Sequence, residues 1–256
     1  MARFPWLRGT GQRTTGRPTS ANGASSFHLT WVLGPAPALV EVSAVLEVLV
    51  PPAVDSLYFW ALQVGFADGA GDRGAAHVGL QWNARHRAGR AVNWGGYAPG
   101  GGLLAGTASA LPSTPDDPNT RDYPWQPNRP YRLRVSPSPA LPGHWQGEVT
   151  DLATGEATVI RHLETGGDTL TAPVVWSEVF ARCDDPSVSV RWSGLEARTV
   201  AGEQITPRGL SVNYQARAVG GCDNTTVRID GQGVVQTTNA ERTVAGGRTI
   251  SLDTLT

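Results

Sequence analysis

From residue 27 onward, apolar and polar residues alternate along much of the chain. In the segment LVEVSAVLEVLV, every second residue from Val40 to Val50 is apolar, while Glu41 and Glu47 occupy the opposite phase. The segments SLYFWALQVGF and AHVGLQW repeat this alternation, with large apolar side chains in one phase. Because successive side chains of a β-strand point to opposite faces of a sheet, this period of two predicts strands with one buried face.

About a dozen short segments of this kind follow one another, separated by turns rich in Gly, Pro, Asp and Asn. Such a succession predicts an all-β protein, a two-sheet β-sandwich. We expect a disordered basic tail over residues 1–26 and a sandwich domain over residues 27–196. Residues 197–256 would form either a β extension of the same sandwich or a small appended β unit.

Charge is almost balanced along the chain. It carries 21 basic and 22 acidic residues, for a net charge of −1, and every basic residue is an arginine. This balance argues against nucleic acid as a partner, because nucleic-acid-binding surfaces carry an excess of basic residues. Abundant Ala, Gly, Pro and Arg without lysine is typical of a GC-rich bacterial genome.

The chain lacks an apolar run close to the roughly 20 residues that a membrane-spanning helix needs. Its first residues also lack the apolar stretch of a signal peptide. We therefore expect a protein without a membrane span and with a cytoplasmic location, secretion being left open. The oligomeric state does not follow from these features.

The two cysteines, Cys183 and Cys222, each precede an aspartate. A disulfide between them would stabilise the fold by roughly 3–4 kcal/mol through the loop that it closes. In a reducing compartment both would remain thiols, so both states stay open. The five histidines and two cysteines show no metal-ligand spacing, and we expect neither a bound metal nor a cofactor.

Several segments between Tyr58 and Glu196 carry a further pattern: YFWALQVGF, HVGLQW, YRLRV, HWQGEVTDLATGE and VVWSEVF. Their order resembles the strands of the concanavalin-like lectin and glucanase jelly rolls, and those of bacterial sandwich domains of unassigned function. The resemblance implies a jelly-roll sandwich. Glucanases of this fold carry a catalytic E-x-D-x-E or E-x-D-x-x-E strand that has no counterpart here, so the resemblance implies an architecture and no catalytic residues.

The polar phase of these strands offers a candidate binding face. Amides donate and accept hydrogen bonds, and aromatic rings stack on the apolar face of a sugar, so a sheet face that carries both suits a glycan. The predicted face carries Gln63, His77, Gln81 and Asn93. Its predicted aromatic rim consists of Tyr97, Tyr123 and Trp125. These residues are equally compatible with the ordinary polar side of a half-solvated sheet.

Glu178 is the strongest candidate for catalysis, because it shares a strand face with two aromatic residues. Such surroundings would raise the pKa of its carboxyl group and create a proton donor, unless Arg182 forms an ion pair with it. A glycoside-cleaving enzyme also needs a second carboxylate, roughly 5–9.5 Å away. Glu148, Glu41 or Glu47 could supply this second group.

The leading interpretation is a non-catalytic domain that binds a carbohydrate or another cell-surface polymer, with a glycan or polysaccharide as partner. The first alternative is a glycoside-cleaving enzyme that uses Glu178 and a second carboxylate. The second alternative is a structural or self-assembling β domain without a small ligand. Two acidic groups that converge in a groove would favour the enzyme, whereas a face of amides and aromatic rings would favour the binding domain.

Overall fold

The computed structural model describes residues 14–35, 38–223 and 225–253, which form β-strands and two short 3-10 helices, Arg87–Gly89 and Arg217–Val219. Among these residues no helix is long and apolar enough to cross a membrane. In chain order the strands are β1 (Ser25–Val32), β2 (Leu39–Val50), β3 (Tyr58–Asp68), β4 (Gly71–Trp82), β5 (Arg90–Tyr97), β6 (Thr120–Asp122), β7 (Pro130–Pro137), β8 (His144–Asp151), β9 (Ala157–Glu164), β10 (Thr169–Val179), β11 (Val188–Thr199), β12 (Gln204–Ile205), β13 (Gly209–Tyr214), β14 (Thr225–Ile229), β15 (Val234–Thr238) and β16 (Thr249–Ser251).

The strands form two layers through antiparallel pairings. The front sheet has the order β16-β13-β1-β10-β3-β4-β5-β6. The back sheet has the order β14-β15-β11-β2-β7-β8-β9, with β12 beside β11. A single residue pair, Leu39 with Leu170, joins β2 to β10. The predicted all-β, two-sheet sandwich is confirmed.

Alternate residues of both sheets fill the space between the layers, as the period of two predicts. Trp60 and Leu62 of β3 and Leu46 of β2 are fully buried in one core. The layers approach each other closely where the ring of Trp94 on β5 lies against Gly147 on β8. A Cβ atom at Gly147 would lie 2.5 Å from that ring, so the approach requires glycine.

A buried amide connects the two layers. The Oε1 atom of Gln236 accepts hydrogen bonds from Ser177 Oγ at 2.7 Å and from Trp192 Nε1 at 2.8 Å. Its Nε2 atom donates to the carbonyl oxygen of Phe27 at 3.1 Å. Because a buried polar group is costly without partners, these bonds tie β1, β10, β11 and β15 into one arrangement.

The described strands after residue 197 extend both sheets. β13 pairs with β1 in the front sheet, and β15 pairs with β11 in the back sheet. Leu210 and Val212 of β13 and Val234 of β15 are buried in the core that β3 also fills. These strands therefore share the hydrophobic core of the sandwich.

Residues 14–24, here called the strap, run along the sandwich before β1. The Gly16 carbonyl accepts a hydrogen bond from Cys183 N at 2.7 Å, and Thr19 N donates to the Gly220 carbonyl at 3.0 Å. The loops that hold the strap are joined by the disulfide Cys183–Cys222, whose Cα atoms lie 5.5 Å apart. The prediction of a disordered tail over residues 1–26 is therefore wrong for residues 14–26. Residues 1–13 lie outside the described residues.

The long loop between β5 and β7 carries Trp125, which we expected to contribute its ring to the rim of the predicted binding face. Its side chain is instead 0% exposed, and its ring lies 5.9 Å from that of Trp60. Its Nε1 atom donates to the Gln81 carbonyl at 3.0 Å. The expectation was wrong because the loop folds back over the open edge of the sandwich and carries this ring into the core.

We predict that Trp125→Ala lowers the free energy of unfolding by about 3–5 kcal/mol, the usual cost of removing a buried tryptophan. The measurement is urea unfolding followed by circular dichroism. Val219→Ala is the control, since Val219 is 62% exposed, and exposed substitutions stay within about 0.5 kcal/mol. Equal stability of both variants would contradict a buried Trp125.

We also predict that replacing both cysteines by serine destabilises the fold by about 4 kcal/mol, from the entropy of a loop of 39 residues. For a chain of this size that corresponds to a fall in Tm of about 8–16 °C. Differential scanning calorimetry of the oxidised wild type and the double variant measures this. An unchanged Tm would show that the disulfide does not hold the two loops.

Candidate functional site

A cleft of about 480 Å³ lies on the outward face of the front sheet. We call it the front cleft. Its lining combines amides, aromatic rings, histidines and a carboxyl group with several small residues. The lining residues are Asn22, His28, Phe59, Gln63, Ala75, His77, Gln81, Asn93, Gly95, Gly96, Tyr97, Leu103, Asp117, Asn119, Thr120, Trp176 and Glu178.

Strand register places these side chains on one face. Phe59 of β3 lies opposite Gln81 of β4 on one side and opposite Glu178 of β10 on the other. Gln63 lies opposite His77 in the same pair of strands. Residues directly opposite each other on paired strands point to the same side of a sheet. The residues adjacent in sequence to these groups point into the core, so these groups face outward.

The structure brings together five of the seven predicted binding residues: Gln63, His77, Gln81, Asn93 and Tyr97. Tyr123 and Trp125 do not join them. Tyr123 lines a separate cleft and packs against Tyr131, with ring centroids 6.1 Å apart. A cleft rim formed by Tyr123 and Trp125 was therefore wrong.

An aromatic cluster forms part of the cleft wall. The rings of Phe59, His77 and Trp176 meet edge to face, with centroids 4.8 to 5.4 Å apart. His28 of β1 lies 6.3 Å from Trp176. His28 was not among the predicted binding residues. Its position between the apolar residues Phe27 and Leu29 of β1 could have placed it on the outward face.

Both histidines of the cleft are uncharged at neutral pH. Burial lowers the pKa of His77 to about 4. Burial also lowers the pKa of His28 below its usual value. An imidazolium loses hydration in such surroundings, so the neutral ring is favoured.

Glu178 is the carboxyl group at the β10 side of the cleft. Burial raises its pKa above the usual value, against the opposing effect of hydrogen bonds from Ser26 Oγ at 3.1 Å and Asn22 Nδ2 at 3.4 Å. The expected ion pair with Arg182 is wrong. Arg182 follows the end of β10, out of its alternation, and its Nε atom lies 3.2 Å from Asp184 Oδ1.

The structure does not bring Glu148 near Glu178. Glu148 lies on β8 of the back sheet, where its Oε2 atom is 2.9 Å from Arg134 Nη2. Glu41 and Glu47 lie on β2, also in the back sheet, and form ion pairs with arginines there. The predicted pairing of Glu178 with a second carboxylate from this set is wrong, because the two outward faces lie on opposite sides of the sandwich.

Asp117, in the loop before β6, is the other carboxyl group of the cleft lining. Strands β3, β4 and β5 separate it from Glu178 on β10. The two carboxyl groups have separate partners: Asp117 Oδ1 accepts a hydrogen bond from Asn119 N at 2.8 Å, whereas Glu178 accepts from Ser26 and Asn22. The described residues contain no group of three or more His, Cys, Asp or Glu that could hold a metal ion.

Neighbouring side chains orient the amides of the cleft. Trp176 Nε1 donates to Gln63 Oε1 at 3.2 Å, and Asn83 Nδ2 donates to Gln81 Oε1 at 3.1 Å. Each glutamine oxygen is thereby engaged, and its NH₂ group is the part that can donate to a ligand. Asn93 donates to Thr120 Oγ1 at 2.9 Å, and its own oxygen is buried without a hydrogen-bond partner in the described structure.

No protein-family model matches the chain, and a comparison with curated protein sequences finds no match. Among solved structures, a scytalido-glutamic peptidase bound to a peptide-based transition-state analogue has a TM-score of 0.48 and 12% identity. The alignment covers 84% of this chain and 98% of that chain. SCP-B, a member of the eqolisin family of peptidases bound to the tripeptide Ala-Ile-His, has a TM-score of 0.46 and 11% identity. Here the coverage is 88% of this chain and 99% of that chain.

The enzymatically active domain of bacteriophage CBA120 tailspike protein 2 has a TM-score of 0.30 and 16% identity. The alignment covers 72% of this chain and 24% of the tailspike chain. The two-sheet sandwich implied by the expected resemblance rests on the strand pairings of this chain itself, such as β3 with β10 and β2 with β11. At these identities and TM-scores the likeness carries nothing about the chemistry of the front cleft.

We predict that Glu178→Gln gains stability relative to the wild type as the pH rises from 4 towards 7, since the carboxyl group has a raised pKa in the folded state. The stabilising contribution of protonated Glu178 is fully present below the pKa that this carboxyl group has in the unfolded state. It is lost as the pH rises through the higher pKa that the group has in the folded state. The measurement is Tm against pH for both proteins.

Glu148→Gln is the matched control, because it removes an ion pair with Arg134. Its Tm should fall below that of the wild type near pH 7, in the direction opposite to the Glu178 variant. A Glu178→Gln variant that loses stability relative to the wild type with rising pH would contradict a partly buried carboxyl group without an ion-pair partner.

Proposed function

We propose that the front cleft binds an extended, uncharged segment of polypeptide and that Glu178 transfers the proton in hydrolysis of one of its peptide bonds. The observation that carries this proposal is the environment of Glu178. Burial raises its pKa, and its hydrogen-bond donors Ser26 and Asn22 are neutral groups. A carboxyl group with a raised pKa in a cleft is suited to general acid–base catalysis near neutral pH.

Apart from the carboxyl groups of Glu178 and Asp117, the lining of the front cleft is uncharged, and this suits the backbone of a peptide. No salt bridge of the described residues includes a residue that lines the front cleft. Gln63 and Gln81 present amide donors to peptide carbonyl groups. This combination favours an uncharged ligand that carries hydrogen-bond acceptors.

The geometry supports hydrolysis with one carboxyl group. Gln81 and Glu178 flank Phe59 in a single row across three strands. Their backbones are therefore about 10 Å apart, and both side chains can reach an atom between them. Glu178 would accept a proton from the attacking water and return it to the leaving nitrogen, while the Gln81 amide would stabilise the oxyanion that forms on the carbonyl.

Cleavage of a glycosidic bond fits this cleft less well. That reaction uses two carboxyl groups that converge on one bond, whereas Asp117 and Glu178 of the cleft are held by separate hydrogen-bond partners. Peptides are the ligands bound by the glutamic peptidase and by SCP-B described above. For this chain, a peptide substrate is part of the proposal.

A second candidate function is non-catalytic binding of a neutral glycan. The side chain of Tyr97 is 53% exposed at the cleft and offers a ring face for stacking on a sugar. A few hydrogen bonds worth about 1 kcal/mol each, with one stacking contact, would give affinities in the millimolar to high micromolar range.

We further propose that the protein works in an oxidising compartment, in place of the cytoplasmic location expected from the sequence. The disulfide between Cys183 and Cys222 supports this, since such bonds persist mainly outside the reducing cytosol. Mass spectrometry of the protein trapped with a thiol-alkylating reagent in its native cells tests the proposal. Two alkylated cysteines would contradict it.

We predict that Glu178→Gln reduces kcat for uncharged, internally quenched peptides by about 10²–10⁴-fold, the usual contribution of a general acid or base. KM should change little, since the amide keeps the shape of the side chain. The wild-type pH profile should contain an ionisation above the usual glutamate value of 4.5 that the variant lacks.

Glu148→Gln is again the control and should leave kcat unchanged, because Glu148 lies on the back sheet. Cleavage by Glu178→Gln at the wild-type rate would refute the proposed role. If the wild type cleaves no peptide but binds a glycan that Gln81→Ala no longer binds, the second candidate function holds instead.

A further inference from the structure

The edge of the front cleft at β5 differs in character from the rest of its lining. Tyr97 and Leu103 are 53% and 63% exposed, and both side chains line the cleft. Their backbones form a β-bridge, which fixes the two side chains next to each other. Other exposed large apolar residues, such as Val200 and Val219, lie outside the cleft lining.

The turn between these two residues holds them in place. Ala98 N donates to the Gly102 carbonyl at 2.7 Å, and Gly101 N donates to the Ala98 carbonyl at 3.0 Å. Gly101 has a φ of +92°, a conformation that residues with a Cβ rarely adopt. The turn therefore returns Leu103 to the position beside Tyr97.

Small residues form the floor between these side chains. Ala75 lies opposite Tyr97, and Gly95 lies opposite His77 in the same pair of strands. A Cβ atom at Gly95 would lie 2.5 Å from the side chain of Asn119, so the Asn119 amide packs directly against this glycine. The outcome is a recess with a small floor, with the apolar side chains of Tyr97 and Leu103 on one side and the Asn119 amide on the other.

The recess lies far from Glu178 along the strands. Gln81, in the row of Glu178, pairs with Ala91, whereas Ala75 pairs with Tyr97, six residues further along each strand. At about 3.3 Å per residue this separation is roughly 20 Å. An extended peptide covers that distance with about six residues.

We propose that this recess, formed by Ala75, Gly95, Tyr97 and Leu103, is a specificity subsite for a large apolar side chain of the substrate. The inference rests on the proposed function and deepens it. The substrate is a peptide of neutral character that carries Leu, Phe or a similar residue about six positions from the bond that is cleaved. A negatively charged side chain is disfavoured there, because the cleft lining contains the carboxyl group of Asp117 and no basic residue.

Burial of an apolar side chain against Tyr97 and Leu103 gives the subsite its selectivity. Complete burial of Leu or Phe changes an equilibrium constant by about 10- to 100-fold. Peptides with Leu or Phe at the matching position should therefore bind about 10- to 100-fold more tightly than peptides with Gly or Asp there.

The test uses Glu178→Gln as the background, so that bound peptides stay intact. Fluorescein-labelled peptides of twelve residues, neutral except at one scanned position, are titrated by fluorescence anisotropy. The scan compares Leu, Phe, Gly and Asp at each position. The same titrations are repeated with Tyr97→Ser and Leu103→Ser combined, and with Val219→Ser as the control at an exposed apolar residue outside the cleft.

We expect a preference for Leu and Phe at one position, lost in the combined Tyr97 and Leu103 variant and kept in the Val219 variant. The same preference in the combined variant would overturn the subsite, and so would an absence of any preference or of any binding. If the wild type cleaves no peptide while the preference persists, the subsite stands and the proposed hydrolysis fails. If the wild type cleaves peptides without an apolar preference, the hydrolysis stands and the subsite fails.

Discussion

The architecture depends on the alternation of side chains along four neighbouring strands, β10, β3, β4 and β5. One phase of these strands, including Trp60 and Trp94, fills the hydrophobic core. The other phase, including Gln63 and Gln81, lines the front cleft. The burial that stabilises the sheet therefore also fixes where the polar groups point, and a shift of one residue in register would exchange the two faces. Stability and the candidate site are consequences of the same packing.

A second constraint acts where the chain enters the front sheet. The disulfide joins the loops that hold the strap, and Cys222 N donates to Ser25 Oγ at 2.8 Å. The strap brings Asn22 next to Glu178, and β1 brings Ser26 there. These neutral donors partly offset the cost of burying the carboxyl group. The chemistry proposed for Glu178 thus depends on covalent and hydrogen-bonded contacts that are distant in sequence.

The sequence predicted the front cleft where the decisive pattern was local. A period of two placed Gln63, His77 and Asn93 on a polar face, because strand alternation needs no knowledge of the partner strand. The sequence pattern could not show that Glu148 and Glu178 lie on different sheets, because the sheet that a strand joins depends on pairing with strands that are distant in sequence. Trp125 was misplaced for the same reason, because the path of a long loop depends on the edge that it covers. Arg182 was misplaced because the alternation was extended past the end of β10.

We propose that a peptide binds on the outward face of the front sheet, between Glu178 and the β5 edge. The most direct test is an NMR titration of Glu178→Gln with an uncharged peptide, following the side-chain NH₂ signals of Gln63 and Gln81. If the peptide binds in the front cleft, both signals shift in a saturable way, while backbone signals around Glu148 on the back sheet stay unchanged. Shifts confined to the back sheet, or unchanged glutamine signals with the peptide bound, would contradict it.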